Sequence, residues 1–249
     1  MMALKVVVLG GTKGIGRALA RRLAARGDRL HLLGRDLAEL ATCAADLQAR
    51  MPSGGQVTWS ACDLEQPQAF GAAVAEADGA LAGFDTVIIT AGLFATQPTL
   101  EADLAFTQRL LTVNFANTVT FCEHVRAVLL AKGGGTLCVF SSVAGDRGRK
   151  PVVLYGASKA GLSAYLEGLD HKFRASGLKT ICVKPGFVRT GMTEGLPEPP
   201  FAADPDQVAA AVVGAIDKGT PVIYAPPIWA LVMLVIRNLP RFVMRKIGF

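Results

Sequence analysis

The sequence has 249 residues, of which 51% are hydrophobic and 18% are charged, and its formal net charge is +6. This composition excludes a disordered or repetitive chain, and the length suits one large α/β domain that buries about three quarters of its unfolded surface. Four basic residues lie in the last thirteen positions, which contain no acid, and without them the net charge falls to +2. We therefore expect no nucleic-acid-binding surface.

Five cysteines are scattered along the chain without a CxxC pair, and the three histidines lack the spacing of metal ligands. This pattern predicts no disulfide framework and no metal site, so we expect reduced, buried thiols. The opening segment MMALKVVVLGG enters a glycine-rich turn after one basic residue, where a secretion signal would have a longer apolar stretch and a cleavage site. We expect a cytoplasmic protein.

Apolar runs alternate with longer stretches of helical pattern along the chain. The apolar runs predict strands at residues 4–9, 29–33, 56–60, 84–90, 136–141, 179–184 and 221–225. The stretches between them predict helices at residues 14–25, 37–50, 66–81, 100–132 and 155–175. Apolar strands joined by helices predict an α/β fold with a doubly wound, seven-stranded parallel sheet of the Rossmann type. We predict one domain over residues 1–226 and a helical tail over residues 227–249.

The first predicted strand leads into the turn GGTKGIG, which a helix follows. In a phosphate-binding turn, small residues let the backbone approach a pyrophosphate, whose charge meets the free N–H groups and the positive dipole end of the helix. A merely tight turn is the alternative. At the first strand–helix junction of an alternating pattern, this turn predicts a dinucleotide site that includes Gly10, Thr12, Lys13, Gly14, Ile15 and Gly16.

The end of the second strand bears on the choice of cofactor. In LLGRD, Gly34 stands where an acidic residue usually binds the ribose diol, and Arg35 is next to it. Arg35 and Lys13 suit the 2′-phosphate of NADP(H). Both could also be ordinary solvated surface charges, and Asp36 is close enough that NAD(H) stays an alternative. Asp63, after the third strand, is placed to contact the adenine, and a helix N-cap explains it almost as well.

The segment VLYGASKAGL places Tyr155 and Lys159 four residues apart with only small residues between them. Residues i and i+4 share a helix face, so the phenol and the ammonium can face one cleft. A phenol has a pKa of about 10. We expect the ammonium to lower the pKa of Tyr155 and so to make it a proton donor and acceptor. The small residues allow close approach by the cofactor or a neighbouring helix.

Other motifs surround this pair in a characteristic order. Ser142 lies in FSSVAG after the fifth strand, Asn114 lies in the helical segment VNFAN, and KPGFVRTGM follows the sixth strand. As a set, these motifs resemble the short-chain dehydrogenase/reductase family over residues 4–226. The matching residues are Gly10, Gly14, Gly16, Asn114, Ser142, Tyr155, Lys159, Pro185 and Gly186.

The resemblance implies hydride transfer between a nicotinamide and a carbonyl or alcohol. It implies that Tyr155 protonates the carbonyl oxygen and that Ser142 hydrogen-bonds the same oxygen. It further implies that Lys159 holds the nicotinamide ribose and that Asn114 supports a water-linked proton relay. A strand-end cap at Ser142 and a buried structural amide at Asn114 are the alternatives. A homodimer or homotetramer is also implied, as are cofactor contacts from Ala91, Gly92, Pro185, Gly186, Val188 and Thr190.

The tail has its own pattern. Its apolar run, residues 228–236, would be about 14 Å long as a helix, whereas a bilayer takes about 20 residues to cross. After Pro240, basic residues share one side of a predicted helix and apolar residues the other. This pattern is typical of a protein that lies on the inner face of an anionic membrane. An oligomer contact or a flap over the active site fits the pattern equally well.

The tail and the segment SSVAGDRGRKPVVLYGASKAGL also resemble a narrower group, the decaprenylphosphoryl-2-keto-erythropentose reductases, which are membrane-associated and reduce a keto-sugar on a polyprenyl phosphate. The carbonyl substrate would then be lipid-linked rather than a small molecule. The basic loop of Arg147, Arg149 and Lys150 would lie close to the substrate phosphate, or it would be solvated. The alternative to catalysis is a regulatory or adaptor module that binds NADP(H) and docks a membrane enzyme.

Overall fold

The computed structural model describes residues 3–52 and 55–247. The outer limits of the predicted domain and tail, residues 1–2 and 248–249, therefore lie outside the described residues. Within the described ranges, seven parallel strands form one sheet in the order β3-β2-β1-β4-β5-β6-β7. The strands are β1 (Lys5–Leu9), β2 (Arg29–Gly34), β3 (Val57–Ala61), β4 (Thr86–Ile89), β5 (Gly135–Phe140), β6 (Leu178–Pro185) and β7 (Val222–Ala225). The predicted Rossmann-type sheet is confirmed.

Helices cover both faces of this sheet. They are α1 (Gly14–Arg26), α2 (Leu37–Arg50), α3 (Phe70–Leu81), α4 (Gln97–Ala102), α5 (Leu104–Leu111), α6 (Thr118–Ala131), α7 (Val153–Phe173), α8 (Pro205–Lys218), α9 (Ile228–Asn238) and α10 (Arg241–Lys246). Successive residues of β1 point to opposite faces, so Val6 and Val8 join the core under α1, α2 and α8, whereas Val7 and Leu9 join the core under α3, α6 and α7. The strand order reverses between β1 and β4, which is where such sheets bind ligands.

One predicted helix is wrong. The stretch predicted as a single helix at residues 100–132 contains α4, α5, a π-helical turn at Thr112–Asn117 and α6. Asp103 separates α4 from α5 because its backbone is extended, with φ −124° and ψ 91°, and its side chain accepts a hydrogen bond from the Phe106 N–H at 2.9 Å. The other predicted helices are found with ends shifted by a few residues.

The tail packs onto the domain through one side of α9. Met233 and Ile236 are buried there against Val143, which follows β5, and Tyr224 of β7 packs against the same cluster. The opposite side of α9 is exposed. Among the residues described, no helix combines the length and the apolar character that crossing a membrane requires.

Candidate active site

A large cleft lies at the carboxyl ends of the central strands. Its volume is about 1550 Å³, which exceeds the roughly 300–1,000 Å³ of a drug-sized pocket and leaves room for a dinucleotide and a substrate together. All of the predicted site residues except Asn114 line it: Gly10, Thr12, Lys13, Gly14, Ile15, Gly16, Arg35, Asp63, Ala91, Gly92, Ser142, Tyr155, Lys159, Pro185, Gly186, Val188 and Thr190. One cavity thus brings together residues that are up to 180 positions apart in the sequence.

The glycine-rich turn at one end of the cleft has the features of an anion site. Gly10 has a φ of +93°, and a Cβ there would lie 2.7 Å from the backbone nitrogen of Ala91. Helix α1 starts after Lys13 with no side-chain cap and no acid in its first turn. The first N–H groups of a helix need partners, and here no side chain supplies them. The turn therefore fits the pyrophosphate of a dinucleotide.

The two predicted 2′-phosphate ligands lie beside this turn, and each is paired with an acid. The Lys13 Nζ lies 3.1 Å from Glu39 Oε1, and the Arg35 Nη1 lies 3.7 Å from Glu65 Oε1. The Lys13 and Arg35 side chains are 77% and 61% exposed, so these pairs are weak and easily rearranged. Asp36 caps α2 by accepting a hydrogen bond from the Glu39 N–H at 3.0 Å. Sequence reasoning missed Glu39, although the DLAE pattern resembles a capping box and could have identified it.

Asp63 and the end of β4 form the middle of the cleft. Asp63 lines the cleft and also accepts a hydrogen bond from the Glu65 N–H at 3.0 Å, so it caps the local turn as well. Gly92 lies close to the catalytic candidates, because a Cβ there would be 3.1 Å from Asn114 Oδ1 and 3.7 Å from Lys159 Nζ. These contacts place the predicted adenine and nicotinamide contacts along one continuous surface.

Tyr155 and Ser142 meet at the centre of the cleft. Ser142 Oγ accepts a hydrogen bond from the Ala144 N–H at 3.1 Å and lies 3.5 Å from the Pro185 carbonyl oxygen. The Phe94 ring packs edge-on against the Tyr155 ring at a centroid distance of 5.1 Å. Burial raises the pKa of Tyr155 to about 12, and the hydrogen bond with Ser142 offsets only part of that rise. The expected lowering of the Tyr155 pKa is therefore wrong.

Lys159 is buried beside Tyr155. Its side chain is 5% exposed, its Nζ donates a hydrogen bond to the Phe140 carbonyl oxygen at 2.8 Å, and it lies 5.8 Å from the centre of the Tyr155 ring. Burial lowers the pKa of Lys159 to about 8, so the amine is still mostly charged at neutral pH. The two side chains share one face of α7 as the spacing predicts, but burial rather than the neighbouring amine dominates the pKa of Tyr155.

The small residues between them serve packing against the turn after β5. A Cβ on Gly156 would lie 2.8 Å from the Ala144 carbonyl oxygen, and a Cβ on Gly145 would lie 2.6 Å from the carbonyl carbon of Lys159. Ser141 Oγ donates a hydrogen bond to the Lys159 carbonyl oxygen at 2.9 Å. The neighbour at this point is thus a short 3₁₀ turn, Val143–Gly145, which fixes Ser142 relative to Tyr155.

Asn114 lies in the π-helical turn and is 1% exposed. Its Oδ1 accepts a hydrogen bond from the Leu93 N–H, and its Nδ2 donates one to the Leu93 carbonyl oxygen, both at 2.7 Å. The side chain therefore holds the segment after β4, as the structural alternative predicted. A proton relay through Asn114 would have to use its backbone.

The segment after β6 lines the end of the cleft where the nicotinamide is predicted. Thr190 faces the glycine-rich turn, because its Cγ2 would be 3.2 Å from a Cβ on Gly14. The Val188 carbonyl oxygen accepts a hydrogen bond from Thr193 Oγ1 at 2.6 Å, and the Thr190 N–H donates one to the same hydroxyl at 3.1 Å. Thr193, which was not predicted, thus positions Val188 and Thr190, two of the expected cofactor contacts.

Helix α9 forms a wall at the substrate end. The Trp229 indole lies over Gly186 so closely that a Cβ there would be 2.0 Å from Trp229 Nε1. The same indole packs edge-on against Phe201 at 6.4 Å. Six tail residues line the cleft: Trp229, Leu231, Val232, Val235, Ile236 and Leu239. The position of α9 corresponds to the flap alternative for the tail, and sequence reasoning gave no role to Trp229.

The basic loop fastens the tail to the domain. Arg147 Nη2 donates a hydrogen bond to the Leu239 carbonyl oxygen at 2.8 Å, and Lys150 Nζ donates one to the Arg245 carbonyl oxygen at 2.7 Å. Cations are favourable at these C-terminal helix ends. Arg149 lines the cleft, where burial lowers the pKa of its guanidinium although the charge of Asp146 opposes this. Two of the three basic side chains, those of Arg147 and Lys150, thus bind backbone carbonyl oxygens of the tail.

Asp146 anchors the same loop to the sheet. Its Oδ1 lies 2.6 Å from Lys184 Nζ, and its Oδ2 accepts a hydrogen bond from the Tyr224 hydroxyl at 2.6 Å. The Asp146 and Lys184 side chains are 2% and 12% exposed. Asp146 lies between Ser142 and Tyr155 in the chain, so its bonds to β6 and β7 fix the loop that joins them.

The histidines and cysteines form no metal site within the part of the chain that the structure describes. In the described ranges, no group of three or more His, Cys, Asp or Glu residues is arranged to hold a metal ion. All five cysteines are described, and each is a buried free thiol. His31 contacts Thr58 and Ser60 within the sheet, and burial lowers its pKa to about 4.

Comparisons with known proteins agree with this geometry. Residues 4–200 match the family model described as short chain dehydrogenase. An uncharacterized oxidoreductase of Mycobacterium tuberculosis is 35% identical over 246 residues, which cover 98% of this chain and 97% of that protein. A granaticin polyketide synthase putative ketoacyl reductase of Streptomyces violaceoruber is 32% identical over 194 residues, which cover 77% of this chain and 70% of that protein.

Solved structures agree in fold. A short-chain type dehydrogenase/reductase from Mycobacterium ulcerans superposes with a TM-score of 0.80 at 21% identity, covering 90% of this chain and 89% of that one. At this identity the likeness shows the fold alone, whereas the match over residues 4–200 shows the family. The chain therefore belongs to the short-chain dehydrogenase/reductase family of oxidoreductases, which use nicotinamide dinucleotides.

Proposed function

We propose that the protein is an NADP(H)-dependent ketoreductase in which Tyr155 donates a proton to the carbonyl oxygen. The observation that carries this proposal is the meeting of Ser142, Tyr155 and Lys159 in one cleft with the uncapped start of α1. A module that only binds a dinucleotide has no need for a buried phenol and a buried amine at the substrate end. The adaptor alternative therefore receives less support.

The protonation state of Tyr155 suits a role as the acid in carbonyl reduction. With a pKa of about 12, Tyr155 is protonated at neutral pH and is ready to donate. Ser142, which hydrogen-bonds Tyr155, is placed to donate to the same carbonyl oxygen and orient it. Lys159 faces the space beside Gly92 and would hold the ribose hydroxyls of the dinucleotide. The bound nicotinamide supplies the hydride.

The choice of NADP(H) rests on Lys13 and Arg35. Both side chains lie at the cleft and are largely exposed, and their acidic partners hold them only weakly. A phosphate carries about two negative charges and accepts charge-assisted hydrogen bonds, so it competes well for both cations. Asp36 is engaged as the cap of α2, which reduces the case for its binding a ribose diol.

The lining of the cleft supports an apolar carbonyl substrate. The wall formed by α9 and by Phe201 is apolar, and the putative ketoacyl reductase among the relatives is named for an acyl substrate. A keto-sugar on a polyprenyl phosphate is the narrower candidate, supported by this wall and by Arg149 within the cleft. The contacts of Arg147 and Lys150 with the tail give it no further support.

Replacing Tyr155 with Phe tests the reaction. We expect kcat for reduction of a panel of ketones to fall by about 10²–10⁴-fold, because general acid catalysis contributes about that much. NADPH binding, followed by fluorescence titration, should not change. The matched control is Tyr165→Phe on the same helix, whose hydroxyl bonds Glu123 outside the cleft. Unchanged turnover in Tyr155→Phe, or no turnover of any carbonyl by the unmodified protein despite NADPH binding, would refute the proposal.

Replacing Arg35 with Ala tests the cofactor. We expect the KM for NADPH to rise about tenfold, since one charge-assisted hydrogen bond contributes about 1.5–3 kcal/mol and this one is exposed. The KM for NADH should stay the same. Arg50→Ala, which removes an exposed arginine from α2, is the control. Equal changes with both cofactors would show that Arg35 does not bind the 2′-phosphate.

A further inference from the structure

Helix α9 is apolar all round, yet only one of its sides is covered. Trp229, Val232, Met233 and Ile236 pack against Val143 and Tyr224. On the other side, Leu234 is 60% exposed and Ile228 is 39% exposed, whereas Leu231 and Val235, at 60% and 56% exposure, also line the cleft. Phe242 of α10, the next helix in the tail, is 66% exposed. Large apolar side chains left exposed together on one short segment are typical of an interaction site.

Basic residues border this apolar surface. They are Arg237, Arg241, Arg245 and Lys246, all exposed, and none of them forms an ion pair with a residue that the structure describes. The sequence contains no acid after Asp217. The surface therefore combines apolar side chains with a local excess of positive charge.

The positive charge of this surface indicates which kind of partner covers it. In a twofold dimer through this surface, the same patch would meet its own copy, so basic residues would face basic residues. Anionic lipid headgroups instead complement the cations, while the acyl region accepts the apolar side chains. We infer that the face formed by α9 and α10, with Leu234 and Phe242 at its exposed side, docks the protein on an anionic lipid bilayer.

The apolar part of this inference is tested with Leu234→Asp/Phe242→Asp. Neither residue lines the cleft, so turnover of a soluble ketone should not change. We expect the partition coefficient on vesicles of equal parts phosphatidylglycerol and phosphatidylcholine to fall at least about 100-fold, because two apolar side chains no longer enter the bilayer. Leu104→Asp, which changes an apolar residue that is 74% exposed on α5, is the matched control and should bind like the unmodified protein.

The basic part is tested with Arg241→Gln/Arg245→Gln. Each basic residue near an anionic surface contributes about a fivefold factor, so we expect the partition coefficient on the same vesicles to fall about 25-fold. Binding to pure phosphatidylcholine should change little. Arg22→Gln/Lys218→Gln removes the same charge elsewhere: Lys218 ends α8 before the amino end of β7, whereas α9 follows the carboxyl end of β7, and Arg22 lies in the second half of α1.

Three results would overturn the inference. The unmodified protein could fail to bind the anionic vesicles at low salt, or Leu234→Asp/Phe242→Asp could bind them as tightly as the unmodified protein does. Sedimentation could instead show an oligomer that Leu234→Asp/Phe242→Asp dissociates, in which case the face binds a second copy of the chain. Loss of vesicle binding in both double variants, with both controls unaffected, supports membrane docking.

Discussion

The buried pair of Asp146 and Lys184 predicts a large effect on stability. In Asp146→Asn the ammonium of Lys184, whose side chain is 12% exposed, loses its ionic partner, and the Tyr224 hydroxyl bonds a weaker acceptor. Removing one partner of a buried ion pair costs about 3–5 kcal/mol. For a chain of this size that free energy corresponds to a fall in Tm of about 6–20 °C.

Calorimetry and urea unfolding of the same samples would measure the loss. The control is Glu198→Gln, which removes the acid of an exposed ion pair with Arg189. The N–O distance in that pair is 2.6 Å, and the Glu198 and Arg189 side chains are 51% and 45% exposed. That variant should lose at most about 1 kcal/mol. Asp146→Leu/Lys184→Met should recover most of the loss, because no charge then stays buried. Equal losses in Asp146→Asn and Glu198→Gln would refute the reasoning.

Two further predictions concern activity. Lys159 has a pKa of about 8 and is charged below that value, so kcat/KM for reduction should fall as pH rises through about 8. Lys159→Arg is charged at all accessible pH values and should lack that fall. A flat pH profile of kcat/KM up to about pH 10 in the unmodified protein would contradict this prediction. Gly186→Ala should displace the Trp229 indole, which would raise the KM for the ketone and lower the free energy of unfolding by about 1–3 kcal/mol. The displacement should also shift the fluorescence of Trp229, measured in a Trp59→Phe background in which Trp229 is the remaining tryptophan. Gly191→Ala is the control, because an added Cβ there meets nothing within 4 Å, and it should leave the KM and the fluorescence unchanged. Equal changes in Gly186→Ala and Gly191→Ala would contradict the packing argument.

Local patterns were enough to predict the sheet and most of the cleft. The strands are short, β-branched and apolar on both faces, which leaves a covered parallel sheet as the main solution. The positions of Gly10, Ser142 and Tyr155 follow, because each comes directly after a strand or begins the helix that succeeds it. Parallel topology then brings these positions to one edge.

Properties that depend on packing between distant segments were not predictable. The pKa of Tyr155 is set by burial against the aromatic and apolar groups of the cleft, and the i, i+4 spacing says nothing of that burial. The break at Asp103 depends on whether an aspartate caps a helix or is simply exposed on one. The contacts of Arg147 with the tail carbonyls link segments about 90 residues apart.

The hydrogen bonds from Arg147 and Lys150 to the tail change what truncation can reveal. The tail lines the cleft through α9 and is hydrogen-bonded to the loop that follows Ser142. Removing the tail would therefore also disturb the position of Ser142. A protein without the tail would then lose turnover and the proposed membrane binding together, although the two losses have different causes. Point changes on the outward side of α9 can separate the two.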